Sequence, residues 1–85
     1  MRLDKYLKVS RVVKRRTVAN EVCAQGRVSK NGKVVKPSAV VAVGDVLEIS
    51  FGTGLTRIRV LSVQDAIRKE SAKEMYEILE GKEIE

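Results

Sequence analysis

Apolar side chains recur along this chain with two different periods. Leu3, Tyr6 and Leu7 fall within about 100° of one another at helical pitch, which predicts a short helix over residues 3–10. Lys5 and Lys8 lie opposite that face, with Arg2 and Arg11 on its flanks. Residues three apart are neighbours on a helix, so these four cations are expected to form a continuous stripe. Val12 and Val13 lead into Lys14-Arg15-Arg16, and Thr17 then reads as the N-cap of a second helix over residues 18–25. Val18, Ala19, Val22 and Cys23 make its apolar face, and Gly26 is the expected left-handed C-terminal cap.

Beyond Gly26 the period shortens to two. Arg27-Val28-Ser29 and Val34-Val35-Lys36 flank Asn31-Gly32, a pair suited to the two positive φ angles of a type I′ hairpin turn. Pro37 stops the ladder. The run Val40 to Val43 leads to a turn at Gly44-Asp45 and a strand from Val46 to Phe51. After a turn through Gly52-Thr53-Gly54, Thr56 to Val60 alternates with Ile58 and Val60 facing inward. Residues 69–80 are expected to be a helix: Ser71-Ala72-Lys73-Glu74 has capping-box spacing, Ala72, Met75, Tyr76 and Leu79 share one face, and Gly81 ends it. The expected class is therefore α+β, with two N-terminal helices, a small mainly antiparallel sheet and one C-terminal helix. The expected organisation is a single domain over residues 1–85, with 1–50 as its core and 51–85 as a strand-and-helix extension.

Composition narrows what such a domain does. At 85 residues and 9.4 kDa there is no room for a separate catalytic domain. There is no His and one Cys, which removes the commonest metal ligand, the usual general base and any internal disulfide. The longest apolar run is five residues, Ala39 to Val43, too short for a membrane span. No apolar stretch follows the basic N-terminus, so no secretory signal is expected. The glycines match no phosphate-binding loop, and Asp45, Glu48 and Asp65 are scattered rather than placed as an acid/base pair. These features predict a cytoplasmic, non-enzymatic protein without a cofactor or a membrane partner.

The charge is unevenly distributed. Residues 1–36 carry eleven Lys/Arg against two acids, a net +9, whereas residues 37–85 carry six against nine, a net −3. Such asymmetry directs the N-terminal half toward polyanions, nucleic acid first. Within it, Lys14-Arg15-Arg16-Thr17 is the sharpest feature. Cations at a helix N-terminus oppose the helix dipole, so stability alone does not favour them, whereas a bound phosphate does. The stripe Arg2, Lys5, Lys8 and Arg11 contains one acid, Asp4, which is placed to pair with Lys8 at i,i+4. Arg27 and Lys33, with Lys30 and Lys36, flank the hairpin and serve equally as RNA contacts or as protection of an edge strand. Tyr6, Tyr76 and Cys23 lie on apolar faces and are expected in the core. Aromatics are 4 % of the chain, too few for the stacking platform of a single-strand binder. Folded RNA, recognised by backbone and shape, is the better-matched ligand.

The segments Met1-Arg2-Leu3-Asp4-Lys5-Tyr6-Leu7, Lys14-Arg15-Arg16-Thr17, Gln25-Gly26-Arg27-Val28, Asn31-Gly32 and Gly44-Asp45 together resemble the S4-type RNA-binding domain over roughly residues 1–50. Catalytic domains to which that domain is elsewhere attached have no counterpart here. Among its stand-alone forms the chain resembles the ribosome-associated heat-shock fifteen-kilodalton family, and most of all its short RqcP-type branch, up to the ending Ala72-Lys73-Glu74-Met75-Tyr76-Glu77-Ile78-Leu79. The heat-shock members carry a longer basic extension where this chain is acidic, so contacts made by that extension do not transfer.

The resemblance implies a non-enzymatic factor that binds stalled large subunits through large-subunit rRNA and peptidyl-tRNA; with no dimer seam in the sequence, a monomer off the ribosome is expected. It implies that the factor holds that tRNA while an RqcH-type tailing factor adds alanine without a template. It further implies RNA contact by Arg2 and Arg16; Lys5, Lys8, Arg11, Lys14, Arg15, Thr17, Arg27 and Lys33 join them on charge and position. The alternative is an rRNA-binding assembly or structural protein. A DNA-binding module or a piece of an RNA-modifying enzyme fits less well, since no dimer seam and no active site are visible.

Overall fold

Leu3, Tyr6 and Leu7 are fully buried and turn the first helix, α1 (Leu3–Val9), onto the sheet. The structure is a computed structural model that describes residues 1–52, 54–64 and 69–82, excluding the side chains of 69–71. The second helix, α2 (Arg16–Ala24), is followed by β1 (Val28–Lys30), β2 (Lys33–Val34), β3 (Val46–Phe51) and β4 (Gly54–Val60). A 3-10 helix (Lys69–Met75) and β5 (Tyr76–Glu80) complete the fold. The five strands form one sheet in the order β2-β1-β3-β4-β5, each neighbour antiparallel. Leu47 faces Ile58 and Ile49 faces Thr56 across β3 and β4, so one sheet face collects Leu47, Ile49, Ile58 and Val60. These join Val12, Val13, Ala19, Val22, Cys23 and Val28 in one apolar cluster with α1.

α2 begins two residues earlier than its periodicity suggests. Arg15 is the extended residue before it, with φ −122° and ψ 129°, and makes no side-chain capping bond. Thr17 is consequently inside the first turn and is not the N-cap. At the other end Gln25 is the cap and Gly26, at φ +73°, turns left-handed. Arg27 N donates to Val22 O at 2.9 Å and Gly26 N to Cys23 O at 3.1 Å, the paired bonds of a Schellman ending. In the hairpin, Asn31 (φ 51°) and Gly32 (φ 87°) take the two positive angles of a type I′ turn. A two-residue loop puts Lys30 opposite Lys33, which sets the strands at Val28–Lys30 and Lys33–Val34.

The expected C-terminal helix over residues 69–80 is absent: the chain passes from the 3-10 helix into β5. The physical reason is the edge of β4. An unpaired strand edge leaves N–H and C=O groups unmet, and the alternating segment Tyr76-Glu77-Ile78 satisfies them. Pairing sets Tyr76 against Val60 and Ile78 against Ile58, and brings Glu77 Oε2 to 3.2 Å from Arg59 Nη1. Ala72, Met75 and Tyr76 are buried as a helix would have required, but Leu79 is exposed. Gly81 ends a strand, at φ +82°, and an added Cβ there would collide with the carbonyl oxygen of Leu55. The capping-box expectation at Ser71 lies outside the described side chains, as do the turn residue Thr53 and the carboxylate of Asp65. Among the described residues no helix is long and apolar enough to cross a membrane.

Candidate nucleic-acid interface

One buried carboxylate organises the basic N-terminal half. Asp4 is 3 % exposed in the first turn of α1. Its Oδ1 accepts the Lys5 backbone N–H at 2.8 Å and lies 3.3 Å from Arg2 Nε. Its Oδ2 lies 3.8 Å from Arg16 Nη2 and accepts Asn20 Nδ2 at 3.4 Å. A charge taken out of water must be met by opposite charge and donors. Here they come from the segment before α1, from the Lys5 N–H within α1 and from the first two turns of α2. The expected Asp4–Lys8 pair is therefore replaced, because Asp4 faces across to α2 rather than along α1. The consequence is that Arg2 and Arg16, fourteen positions apart, converge with side chains 55 % and 54 % exposed. Each guanidinium is anchored on one side and open on the other, and a planar guanidinium makes two-point contact with phosphate.

The other cations fall around this pair. Lys14, Arg15 and Thr17 are exposed at the entry to α2, while Lys5, Lys8 and Arg11 are half-buried along and just after α1. Arg11 has left α1: its backbone is left-handed, φ +65°, and its N–H donates to Lys8 O at 3.1 Å. The helical stripe thus ends at Lys8. Arg27 and Lys33 are exposed beside the hairpin.

Two sets of backbone and side-chain bonds join the hairpin to the helical site. The N-terminus is laced to the 37–41 segment: Leu3 N donates to Ala39 O at 2.8 Å, Val41 N to Met1 O at 2.9 Å, and Arg2 bridges Val40. Lys30 Nζ donates to Val40 O at 3.0 Å. Asn31, expected only as a turn former, also ties the tip down. Its Oδ1 accepts Val46 N at 2.9 Å and its Nδ2 donates to Asp45 Oδ1 at 3.1 Å. Asp45 Oδ2 takes the Ala42 N–H at 2.9 Å, so this carboxylate is a structural acceptor. Glu48 is likewise engaged, 2.9 Å from Arg57 Nε.

The core residues behave as their faces imply. Tyr6 is fully buried and its hydroxyl donates to Met75 O at 2.7 Å; burial, and secondarily Tyr76, raises its pKa. Cys23 is buried, and its thiol is pushed up to about 12 by burial and then by the charge of Asp4. A thiol held protonated is no nucleophile. Among the described residues no three His, Cys, Asp or Glu side chains gather as a metal site.

Asp4 and Asn20 are the site residues that sequence reasoning missed. The signal for Asp4 was present: a lone acid in the first sixteen residues, amid cations. Asn20 carried none, since its partner lies on another helix.

This arrangement, a basic helix pair braced on a small antiparallel sheet, defines an RNA-binding module of the S4 class, and residues 1–47 match the S4 domain family. A protein named RQC P-site tRNA stabilizing factor from Halalkalibacterium halodurans is 53 % identical over 92 % of this chain and 89 % of its own. The protein of that name from Streptococcus pneumoniae is 51 % identical over 100 % of this chain and 97 % of its own. Heat shock protein 15 of Vibrio cholerae, solved as a trimer, superposes with a TM-score of 0.82 at 30 % identity, covering 92 % of this chain and 80 % of that one. The chain belongs to the S4-domain family of RQC P-site tRNA stabilizing factors.

Proposed function

We propose that this chain binds stalled large ribosomal subunits in the cytoplasm and holds peptidyl-tRNA in the peptidyl site while an RqcH-type partner extends the nascent chain with alanine. Its relatives' name supports the tRNA part of this reading, and the Asp4-held pair Arg2 and Arg16 is the observation that carries the RNA contact. The chain acts without catalysis. Phosphates of large-subunit rRNA and of tRNA are neutralised together by Arg2, Lys5, Lys8, Arg11, Lys14, Arg15, Arg16, Arg27 and Lys33, with Thr17 presenting the first turn of α2. Bridging two RNAs makes the second contact intramolecular, so modest contacts suffice to hold the tRNA.

Co-sedimentation tests this reading. Purified protein is spun with large subunits that carry peptidyl-tRNA and, in parallel, with empty ones. Preferential pelleting with the loaded subunits is expected. Equal pelleting with both makes the chain an rRNA-binding assembly or structural protein, and pelleting with neither at moderate salt removes the ribosome from the account.

A further inference from the structure

Val40 is 65 % exposed, and its backbone is held between cations of the two basic regions. It forms an antiparallel bridge with Arg2, so the two residues are direct cross-strand neighbours whose side chains leave on the same side. Its carbonyl oxygen accepts Lys30 Nζ at 3.0 Å. Bonds from Leu3 N to Ala39 O and from Val41 N to Met1 O fix the backbone on either side. A lone exposed valine is ordinary on a protein surface. Val43, 63 % exposed in the same loop, shows the difference that place makes. Val43 stands instead in the Ala42–Asp45 turn, where Asp45 N donates to Ala42 O at 3.1 Å and Gly44 N donates across to Val60 O of β4 at 2.9 Å. It is Val40, three residues earlier, that carries the bridge to Arg2 and the bond from Lys30.

We propose that Val40 is a non-ionic contact of the RNA interface, covered by a ribose or base face when a phosphate backbone spans Arg2 and Lys30. The proposal rests on the RNA-binding reading above. A backbone neutralised by both cations passes over the residue between them, and nucleic acid alternates charged phosphate with sugar whose C–H face is apolar. Covering two methyl groups strengthens binding without releasing counterions. It therefore shifts affinity equally at every salt concentration, whereas losing a phosphate contact flattens the salt dependence.

Labelled full-length protein titrated by fluorescence anisotropy separates these effects. The probes are large subunits carrying peptidyl-tRNA and the protein-free RNA extracted from them, each at several salt concentrations. V40S is expected to bind both probes about three- to tenfold more weakly with an unchanged salt slope. V43S is expected to bind like wild type. V40T keeps the β-branched shape and one methyl group, so a smaller loss there, with thermal melts matching wild type, excludes a folding defect. Wild-type affinity in V40S overturns the inference while leaving RNA binding intact, as does an altered slope or an equal loss in V43S. A loss seen with subunits but not with extracted RNA also overturns it and assigns the valine to a ribosomal protein. Failure of wild-type protein itself to bind either probe is failure of the RNA-binding reading.

Discussion

Arg16 and Lys36 are both exposed cations of the basic half, yet the fold treats them differently. Arg16 is anchored at one edge by Asp4, whereas Lys36 follows a two-residue strand. If binding depends on placed cations, R16A weakens binding to loaded subunits by tenfold or more and K36A by about two- to threefold. Equal losses in a filter-binding titration mean that bulk charge governs. Cys23 supplies a second test, through pH. Its pKa rises from an ordinary 9.0 to about 12 on folding, so the unfolded chain releases this proton first as pH climbs. The contribution of the protonated thiol to stability is full below pH 9 and declines between about 9 and 12. Wild type should therefore lose stability relative to C23A across that window in urea titrations, with a constant difference below it. Parallel curves throughout contradict a buried, neutral thiol. RNA binding by folded C23A near neutral pH is expected to match wild type.

At the scale of elements the informative segment is the last one. A helix over residues 69–80 and the observed strand bury overlapping residues but differ at Leu79 and Gly81. Because Leu79 is exposed on β5, L79A should cost under about 1 kcal/mol, whereas a helix burying Leu79 would lose about 2–5. G81A should cost about 1–3 kcal/mol, because φ is +82° and the new Cβ meets the Leu55 carbonyl. The thermal melt of L79A decides between the two, and that of G81A tests the close approach of Gly81 to the Leu55 carbonyl. The first part of the chain was legible because its signals are local. Asn31-Gly32 demands positive φ at both positions, Gly26 demands a left-handed cap, and Leu3, Tyr6 and Leu7 share a helical face. In residues 72–79 the local signal is ambiguous, since Ala72, Met75 and Tyr76 satisfy a helical face and are equally buried by a 3-10 turn followed by a strand. The unpaired edge of β4 decides, and no local pattern contains it.

The whole molecule segregates charge. The acids of β3 and β5 are taken up by arginines of β4, Glu48 and Glu80 by Arg57 and Glu77 by Arg59. In the helical half Asp4 is the acid shared by Arg2 and Arg16, whose side chains stay more than half exposed. With roughly five to seven phosphates neutralised, the log–log salt slope of binding should lie near −4 to −6. A slope near −1 would confine the contact to one or two residues. We expect a monomer, since one sheet edge, β2, is two residues long and carries Lys33, and the other, β5, carries Glu77 and Glu80. Sedimentation equilibrium should then return a mass near 9.4 kDa, and a threefold mass would align the chain with the trimer of its Vibrio cholerae relative.

Sequence alone determined the identity of the elements up to Val60 and the polarity of the charge. It also placed Tyr6 and Cys23 in the core. Each of those readings depends on residue type and on neighbours within a few positions. Only the tertiary structure decided that Asp4 faces Arg16 instead of Lys8, that Val40 stands beside Arg2, and that the last segment pairs with β4. Those are contacts between residues far apart in the chain, where the desolvation of a buried carboxylate and the unmet backbone groups of a sheet edge outweigh local preference.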